Sequence, residues 1–211
     1  LPSRSKRKGV VFADSAIGMF VELAVVSMTA ILYALVATLP ALSGGVGAFV
    51  DSQGSGGLLT GVGRYLRQQD PAVRLYAVAP AECALLARRA WGHHGIEGIG
   101  DGFVPRNLDV SQLTGAITTT TEENVATARR LSSEEGIICG ISSGCNVAAA
   151  LKLARAHPEL PSIVTMANDT GQRYFTTALC GEDKKVEVPE REHPMDPKTQ
   201  RELDRYQAAW E

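Results

Sequence analysis

The fold is decided by residues 47–68, whose sequence is GAFVDSQGSGGLLTGVGRYLRQ. The first five residues, 47–51, are mostly apolar and predict a strand, whereas the apolar residues of 57–68 recur at helical spacing and predict an amphipathic helix. Between them lies the glycine-rich turn Gly54–Gly57, where backbone N–H groups at a helix N-terminus can approach an anion. The stretch therefore predicts an α/β unit whose turn is either a phosphate cradle or a purely structural connection.

The rest of the chain alternates short apolar runs with helical periodicity, which is typical of an α/β fold with a parallel sheet flanked by helices. Thr120, followed three residues later by Glu123, has the spacing of a capping box at a helix start. Further strands are predicted at 73–78, 116–119, 137–139 and 161–166, a long loop at 92–108, and further helices at 81–91, after 120, after 142 and at 198–210.

The composition excludes several classes of protein. The 211 residues are 45% hydrophobic and 21% charged, and the formal net charge is -2. A nucleic-acid-binding protein needs a basic surface, so we expect no nucleic-acid partner. The four cysteines form no Cys-x-x-Cys pair and have no histidine at metal-ligand spacing. We therefore expect buried thiols, a reducing cytoplasmic location and no metal site.

Three more stretches carry polar groups or unusual backbone. Gly140–Gly144, GISSG, follows a predicted strand, and Ser142 within it is either a ligand-binding hydroxyl or the N-cap of the next helix. The glycines of 98–105, GIGDGFVP, indicate special backbone angles or a close ligand approach. Residues 168–174, NDTGQRY, form a polar turn after a predicted strand. Each signal is weak alone, and their order and spacing together make them informative.

Taken in order, these stretches resemble the cysteine synthase family, the fold-type II pyridoxal-phosphate enzymes that include O-acetylserine sulfhydrylase and cystathionine β-synthase. The resemblance covers about residues 48–179 and implies an α/β fold with a parallel sheet, the family's small mobile domain being largely missing. Four segments carry it: GSGGLLTGVGRYL at 54–66, EGIGDGFVP at 97–105, EEGIICGISSG at 134–144 and TGQRY at 170–174.

The resemblance also implies functional residues. The phosphate of pyridoxal 5'-phosphate would be held by Gly54, Ser55, Gly56, Gly57 and Leu58, and its ring nitrogen by the hydroxyl of Ser142. A neutral hydroxyl at that position leaves the pyridine unprotonated, which suits β-elimination. The family reaction is β-replacement, in which an activated serine such as O-acetylserine loses its leaving group and sulfide adds to give cysteine. The implied partners are an amino-acid substrate and a second copy of the chain in a homodimer, with no membrane.

The substrate side of the site is less well matched. Gly98 and Ile99 would lie at the substrate mouth, and Ser15 falls within DSAIG at 14–18, where the family has an Asn-containing loop for the substrate carboxylate. Ala16 cannot replace that asparagine. The phosphate loop ends in Leu58 where the family usually has threonine.

The Schiff-base lysine has more than one possible alignment. Lys6 takes its place if one residue is deleted from the family motif, and without that gap Arg7 occupies the position. In a third alignment residues 5–10 follow the motif, and the lysine is then absent. The first hypothesis is therefore an enzyme that uses Lys6, and the second is a catalytically impaired relative that acts as a binding or regulatory partner.

Three regions follow from this comparison. Residues 1–47 are expected to be a remnant of the N-terminal catalytic and mobile region, 48–181 a cofactor-binding α/β domain, and 182–211 a C-terminal arm and helix. Residues 18–48 are too few for the family's mobile domain, so the chain is either a fragment or has lost this half.

A third hypothesis concerns the membrane. Residues 23–50 contain no charged side chain and follow a basic run, Arg4 with Lys6, Arg7 and Lys8, which is the pattern of a transmembrane helix over 23–39. The alternative is a buried helix and strand of the α/β core, because such strands are also continuously apolar.

Overall fold

The computed structural model describes residues 10–13, 20–26, 45–181 and 196–207. Within these residues six strands form one sheet in the order β1-β2-β6-β3-β4-β5. β1 and β2 are antiparallel, and all other neighbouring strands are parallel. The strands are β1 Val10–Ala13, β2 Phe20–Val26, β3 Ala48–Ser52, β4 Arg74–Pro80, β5 Gly115–Thr119 and β6 Ile163–Met166.

Helices cover both faces of this sheet. They are α1 Gly57–Gln69, α2 Leu85–Arg88, α3 Thr121–Glu135, α4 Ile141–Ala156 and α5 Pro197–Tyr206, with 3-10 turns at Ala81–Cys83, Val110–Gln112 and Gly171–Tyr174. The predicted α/β fold with parallel strands flanked by helices is confirmed. The capping box is confirmed as well, because the Thr120 hydroxyl accepts from the Glu123 N–H and the Glu123 carboxylate accepts from the Thr120 N–H.

The period-2 alternation of the central strands divides the core into two clusters. In β3, Ala48 and Val50 pack with α3 and α4, whereas Phe49 packs on the opposite face with α1 and α5. The same alternation separates Tyr76 from Leu75 in β4. Each fully buried large apolar side chain contributes about 1.5–3 kcal/mol. Burial on both faces explains why these strands are apolar at nearly every position.

α4 lies in the middle of the cluster that it shares with α3, and its contact with α3 depends on a glycine. Gly144 is fully helical, and a Cβ at this position would overlap the backbone oxygen of Asn124 and lie 2.9 Å from the Cβ of Ala128. The two helices are therefore in backbone contact, and no larger residue fits between them without separating them.

Gly144→Ala is expected to lower the free energy of unfolding by about 3 kcal/mol, because α3 and α4 must move apart in a close-packed interior. Gly61→Ala is the matched control, since Gly61 lies exposed within α1 and a Cβ there meets nothing within 4 Å. That control is expected to gain about 0.5–1 kcal/mol. Urea unfolding of both variants measures the difference, and equal stability of the two would contradict the helix contact.

Two sequence predictions of regular structure are wrong. Residues 137–139 do not form a buried strand: Ile138 is 64% exposed, and Cys139 makes only an isolated antiparallel bridge to Thr170. The backbone of this segment pairs with residues 169–171 through two hydrogen bonds, from the Gly171 N–H to the Ile138 carbonyl and from the Gly140 N–H to the Asp169 carbonyl, which is too little for a regular strand. The helix predicted over 81–91 is replaced by a 3-10 turn and the four-residue α2, which ends where Arg89 takes a left-handed φ of 55°.

The hypothesis of a membrane span that begins at Leu23 is wrong for its first four residues. Leu23–Val26 belong to β2 and pair in parallel with β6. The remainder of the proposed span, 27–39, lies outside the described residues. Among the residues that the structure describes, no helix is long and apolar enough to cross a membrane.

Three of the four cysteines are buried, as predicted, and Cys180 is exposed. Burial raises the pKa of the Cys139 thiol to about 11. This thiol is therefore protonated and chemically inert at neutral pH.

Candidate functional site

A cleft opens where the chain reverses its path through the sheet. β3 and β6 are parallel neighbours, but the chain leaves β3 for β4 on the opposite side. In open α/β sheets, ligands bind outside the carboxyl ends of the strands at such a switch point. The cleft has a volume of about 420 Å³. It is lined by Asp51, Ser52, Gly54, Ser55, Gly56, Leu58, Leu59, Glu97, Gly98, Ile99, Ser142, Asn168, Asp169, Arg173 and Tyr174.

The N-terminus of α1 lies at this cleft, which Gly56 and Leu58 line. Gly56 is the N-cap and has a left-handed φ of 78°, which glycine adopts without strain. α1 has no side-chain cap and no acidic residue in its first turn. The first N–H groups of a helix have no partner within the helix, and the helix dipole adds partial positive charge there. This end of α1 therefore favours an anion such as a phosphate.

The loop around Gly98 is hydrogen-bonded to Gln53, just before the glycine-rich turn Gly54–Gly57. The Gly100 N–H donates to the Gln53 carbonyl at 3.2 Å, and the Gln53 side chain donates to the Phe103 carbonyl at 3.1 Å. A Cβ at Gly54 would lie 3.0 Å from the Gly98 carbonyl oxygen. The loop around Gly98 therefore forms one wall of the cleft, and its position depends on residues 53–54.

Ser142 lies in the first turn of α4 and faces the same cleft. Its side chain is only 5% exposed, and its Oγ accepts from Asn168 Nδ2 at 3.3 Å. The N-cap of α4 is Gly140, with no side-chain capping bond. The alternative that Ser142 is an N-cap is therefore wrong, and its hydroxyl is available to the cleft.

Asp51 is a carboxyl buried at the base of the cleft. It is 4% exposed, and Asn146 Nδ2 donates to its Oδ1 at 2.8 Å. Loss of hydration raises the Asp51 pKa to about 7, although the hydrogen bonds from Asn146 and from the Ser52 backbone oppose the rise. This side chain therefore changes charge near neutral pH.

A second carboxyl closes the far side of the cleft. The Tyr174 hydroxyl donates to Asp169 Oδ2 at 2.7 Å. Burial first, and then the hydrogen bond and charge of Asp169, raise the pKa of Tyr174. Asp169 Oδ1 is buried and has no partner among the described residues. A Cβ at Gly140 would overlap this carboxyl, so the glycine leaves room for it.

The structure brings together most of the residues that the sequence singled out. Gly54, Ser55, Gly56, Leu58, Gly98, Ile99 and Ser142 all line the cleft. Gly57 begins α1 beside them. Ile99 is also 5% exposed and packs in the core, so it contributes as part of the wall. Lys6 and Ser15 lie outside the described residues.

Sequence reasoning missed Asp51, Ser52 and Asn146. Asp51 and Ser52 end a buried strand at its carboxyl edge, where side chains reach a ligand crevice. That position was a usable signal. Asn146 gave none, because its contact with Asp51 spans 95 residues of sequence.

The fold and the cleft define a class of protein: an α/β protein whose parallel sheet brings an uncapped helix N-terminus and a serine hydroxyl into one crevice. The profile of the family described as pyridoxal-phosphate dependent enzyme matches residues 8–169. This is most of the chain, and the chain belongs to that family, whose cofactor is pyridoxal 5'-phosphate.

The curated relatives include cysteine synthases, which confirms the resemblance found in the sequence. Cysteine synthase 3 of Caenorhabditis elegans is 48% identical over 60% of this chain and 38% of its own length. O-ureido-L-serine synthase of Streptomyces lavendulae is 44% identical over 62% of this chain and 40% of its own length. Cysteine synthase A of Escherichia coli K12 is 43% identical over 64% of this chain and 45% of its own length.

Solved structures agree in fold. O-acetylserine sulfhydrylase isoform 3 from Entamoeba histolytica matches with a TM-score of 0.66 and 31% identity, covering 82% of this chain and 49% of that one. The crystal structure of an O-ureido-L-serine synthase gives a TM-score of 0.65 and 40% identity, over 73% of this chain and 49% of that one. The chain therefore spans less than half the length of these relatives.

Proposed function

We propose that this chain is a pyridoxal-phosphate-dependent, cysteine synthase-like enzyme that catalyses β-replacement on an activated serine, the reaction of O-acetylserine with sulfide. One observation supports the proposal most: the glycine-rich turn before α1 and the hydroxyl of Ser142 line one cleft, although 85 or more residues separate them in sequence.

The cleft fits pyridoxal 5'-phosphate in charge, polarity and size. The uncapped N-terminus of α1 suits a phosphate dianion. Ser142 supplies a neutral hydrogen-bond donor for a ring nitrogen, and about 420 Å³ is sufficient for a small cofactor. Leu58 offers no hydroxyl, so in this site backbone amides and Ser55 hold the phosphate.

When bound, the cofactor supplies an electron sink for cleavage at the substrate's Cβ. The residues of this chain then bind and orient. Gly54–Leu58 fix the phosphate. Ser142 donates a hydrogen bond to the ring nitrogen and keeps that nitrogen unprotonated. Gly98 and Ile99 line the substrate side of the cleft. Ser15 would contact the substrate carboxylate, and Lys6 would form the covalent bond to the cofactor.

The three regions take separate roles in this proposal. Residues 48–181 hold the cofactor, 1–47 supply the lysine and the carboxylate-binding loop, and 182–211 form an arm and helix. The described part of that arm, α5, places Leu203 in the core with 0% exposure. The proposed assembly is a homodimer, as the family resemblance implies.

A lysine trap tests the proposal. The full chain with added pyridoxal 5'-phosphate is expected to turn yellow, and borohydride reduction followed by peptide mass spectrometry is expected to place the adduct on Lys6. Lys6→Ala is expected to lose both signals, whereas Lys8→Ala, two residues away in the same basic run, is expected to keep them. The product is then analysed after incubation with O-acetylserine and one of two nucleophiles. Cysteine formed with sulfide, or O-ureido-serine formed with hydroxyurea, shows which nucleophile the enzyme uses.

A colourless chain with no trapped lysine, together with saturable cofactor binding, would overturn the catalytic proposal. It would favour the second candidate, a binding partner without turnover. The loss of a side-chain donor at Leu58 is the described feature that favours this second candidate, since it weakens the phosphate site without removing the amides.

A further inference from the structure

The buried side-chain amide of Asn146 joins Asp51, at the bottom of the cleft, to the sheet. Asn146 Nδ2 donates to Asp51 Oδ1 at 2.8 Å and to the Met166 carbonyl at 3.0 Å. Asn146 Oδ1 accepts from the Ser52 N–H at 2.7 Å. A backbone N–H only donates and a carbonyl only accepts, so these partners fix the orientation of the amide. Asn146 thereby holds the end of β3 against the end of β6.

A second amide continues from Ser52 to Ser142. Asn168 Nδ2 lies 3.3 Å from Ser52 Oγ and 3.3 Å from Ser142 Oγ, and donates one hydrogen to each. The Asn168 N–H donates to Ser143 Oγ at 3.0 Å. Asn168 is therefore held from both β3 and α4, and its amide hydrogens face two hydroxyl oxygens.

This arrangement has a consequence for the Ser142 proton. The Ser142 oxygen accepts a hydrogen from Asn168 Nδ2, which cannot accept one in return, so the Ser142 hydrogen can turn to an acceptor in the cleft. Ser142 lines the cleft, and the acceptor that the proposed function places there is the ring nitrogen of the cofactor.

We propose that Asp51, Asn146, Ser52 and Asn168 form a relay of positioning residues that aims the Ser142 hydroxyl at the cofactor ring nitrogen and so keeps that nitrogen unprotonated. The inference rests on the proposed function, because it concerns the same site. It assigns a role to four residues that the family resemblance did not supply. Asn168 acts directly on Ser142, and Asp51 and Asn146 act by holding Ser52.

The burial of Asp51 and Asn146 argues against a purely structural role. An interior carboxyl and amide at this position cost free energy that apolar residues of similar size would not. The raised pKa of Asp51, about 7, shows how strongly its charge is disfavoured there. The Asn146 amide uses both its hydrogens and its oxygen in hydrogen bonds, one of them to Asp51 Oδ1, and such bonds favour a network with one geometry.

The test uses pyridoxine 5'-phosphate, which has the ring nitrogen and the phosphate but no aldehyde, so its binding does not require Lys6. Its absorption spectrum reports whether the ring nitrogen is protonated. The full chain is titrated with this probe, and the ring pKa of the bound probe is measured from spectra over a pH series.

Ser142→Ala and Asn168→Ala are both expected to raise the ring pKa of the bound probe by about one unit, because a hydrogen bond that favours the neutral ring is lost. Both are expected to weaken binding on the order of 5-fold. Ser162→Ala is the matched control: Ser162 is a buried serine beside the other end of β6, where its hydroxyl donates to the Gly45 carbonyl at 2.6 Å. This control is expected to match the unchanged chain.

Among the described residues, the other ionisable groups that line the cleft are Asp51, Glu97, Asp169, Arg173 and Tyr174, and the Ser142 and Asn168 variants leave all of them in place. A comparison of Asp51→Asn with Asp51→Ala separates the effect of the charge from that of the hydrogen bond. Both variants remove the charge, but only Asp51→Asn keeps an oxygen that can accept from Asn146. Asp51→Asn is expected to retain the spectrum of the unchanged chain, and Asp51→Ala to shift toward that of Asn168→Ala.

If Asn168→Ala binds the probe with an unchanged ring pKa while Ser142→Ala shifts it, the relay is refuted and the cofactor site stands. If the unchanged chain shows no saturable binding of the probe, the cofactor site and the relay both fall. A stability loss in the variants without a spectral shift would likewise overturn the relay, because it would show a structural role alone.

Discussion

Gly56→Ala is expected to weaken cofactor binding at least 10-fold and to destabilise the fold by about 3 kcal/mol. Two causes add at this position. Gly56 has a left-handed φ of 78°, and a Cβ there would lie 2.5 Å from Leu108 Cβ and 2.8 Å from the Leu108 backbone nitrogen. Because one contact is with backbone, the 105–108 loop or the start of α1 must move. The amides proposed to hold the phosphate would move with it.

Gly136→Ala separates the two causes. Gly136 also has a left-handed φ, 72°, but it ends α3 and a Cβ there meets nothing within 4 Å. Its replacement is expected to cost only the backbone strain, about 1–2 kcal/mol, with no change in cofactor affinity. Urea unfolding and pyridoxine 5'-phosphate titration of both variants give the comparison. Unchanged affinity in Gly56→Ala would show that the turn before α1 is not the phosphate site.

The protein is expected to lose stability between pH 5 and pH 8, and Asp51→Asn is expected to remove most of that loss. The folded pKa of Asp51 is about 7, above its ordinary value of 3.8. The folded state therefore holds the proton more tightly than the unfolded state. The contribution of this group to stability is complete below about pH 4 and is lost as the pH rises through 7.

The expected change in the free energy of unfolding follows from the pH range over which Asp51 titrates. From pH 5 to the folded pKa of about 7, each unit costs about 1.4 kcal/mol, so the group removes about 3 kcal/mol by pH 8. Asp51→Asn should be the more stable protein at pH 8, and urea unfolding at pH 5, 6, 7 and 8 measures this. Asp109→Asn is the control, because hydrogen bonds from Ser111 and Gln112 lower the Asp109 pKa, and its titration is finished below this window. A parallel pH dependence in Asp51→Asn and the unchanged chain would contradict a neutral buried carboxyl.

Local signals in the sequence predicted the elements that build the cleft. Two examples are the strand, glycine turn and helix at 47–68 and the Thr120 capping box. They depend on contacts within a few residues, so they can be predicted from the local sequence. The strand predicted at 137–139 failed because a regular strand also needs a longer pairing partner, and apolar content alone does not supply one. The helix predicted at 81–91 failed because an irregular backbone at Ala84 and a left-handed Arg89 interrupt it.

The long-range partners of Asp51 and Ser52 could not be predicted from the local sequence. Asp51 meets Asn146 across 95 residues, and Ser52 meets Asn168 across 116. These pairs exist only because the parallel sheet places the ends of β3 and β6 side by side, next to the start of α4. The raised pKa of Asp51 has the same origin, since burial is a property of the whole fold.

A crystal structure of the chain with pyridoxine 5'-phosphate tests the shared cleft most directly. We expect the phosphate against the backbone amides of the turn before α1, and the ring nitrogen within hydrogen-bonding distance of the Ser142 hydroxyl. A phosphate bound elsewhere, or a ring whose nitrogen faces away from α4, would contradict the cofactor site.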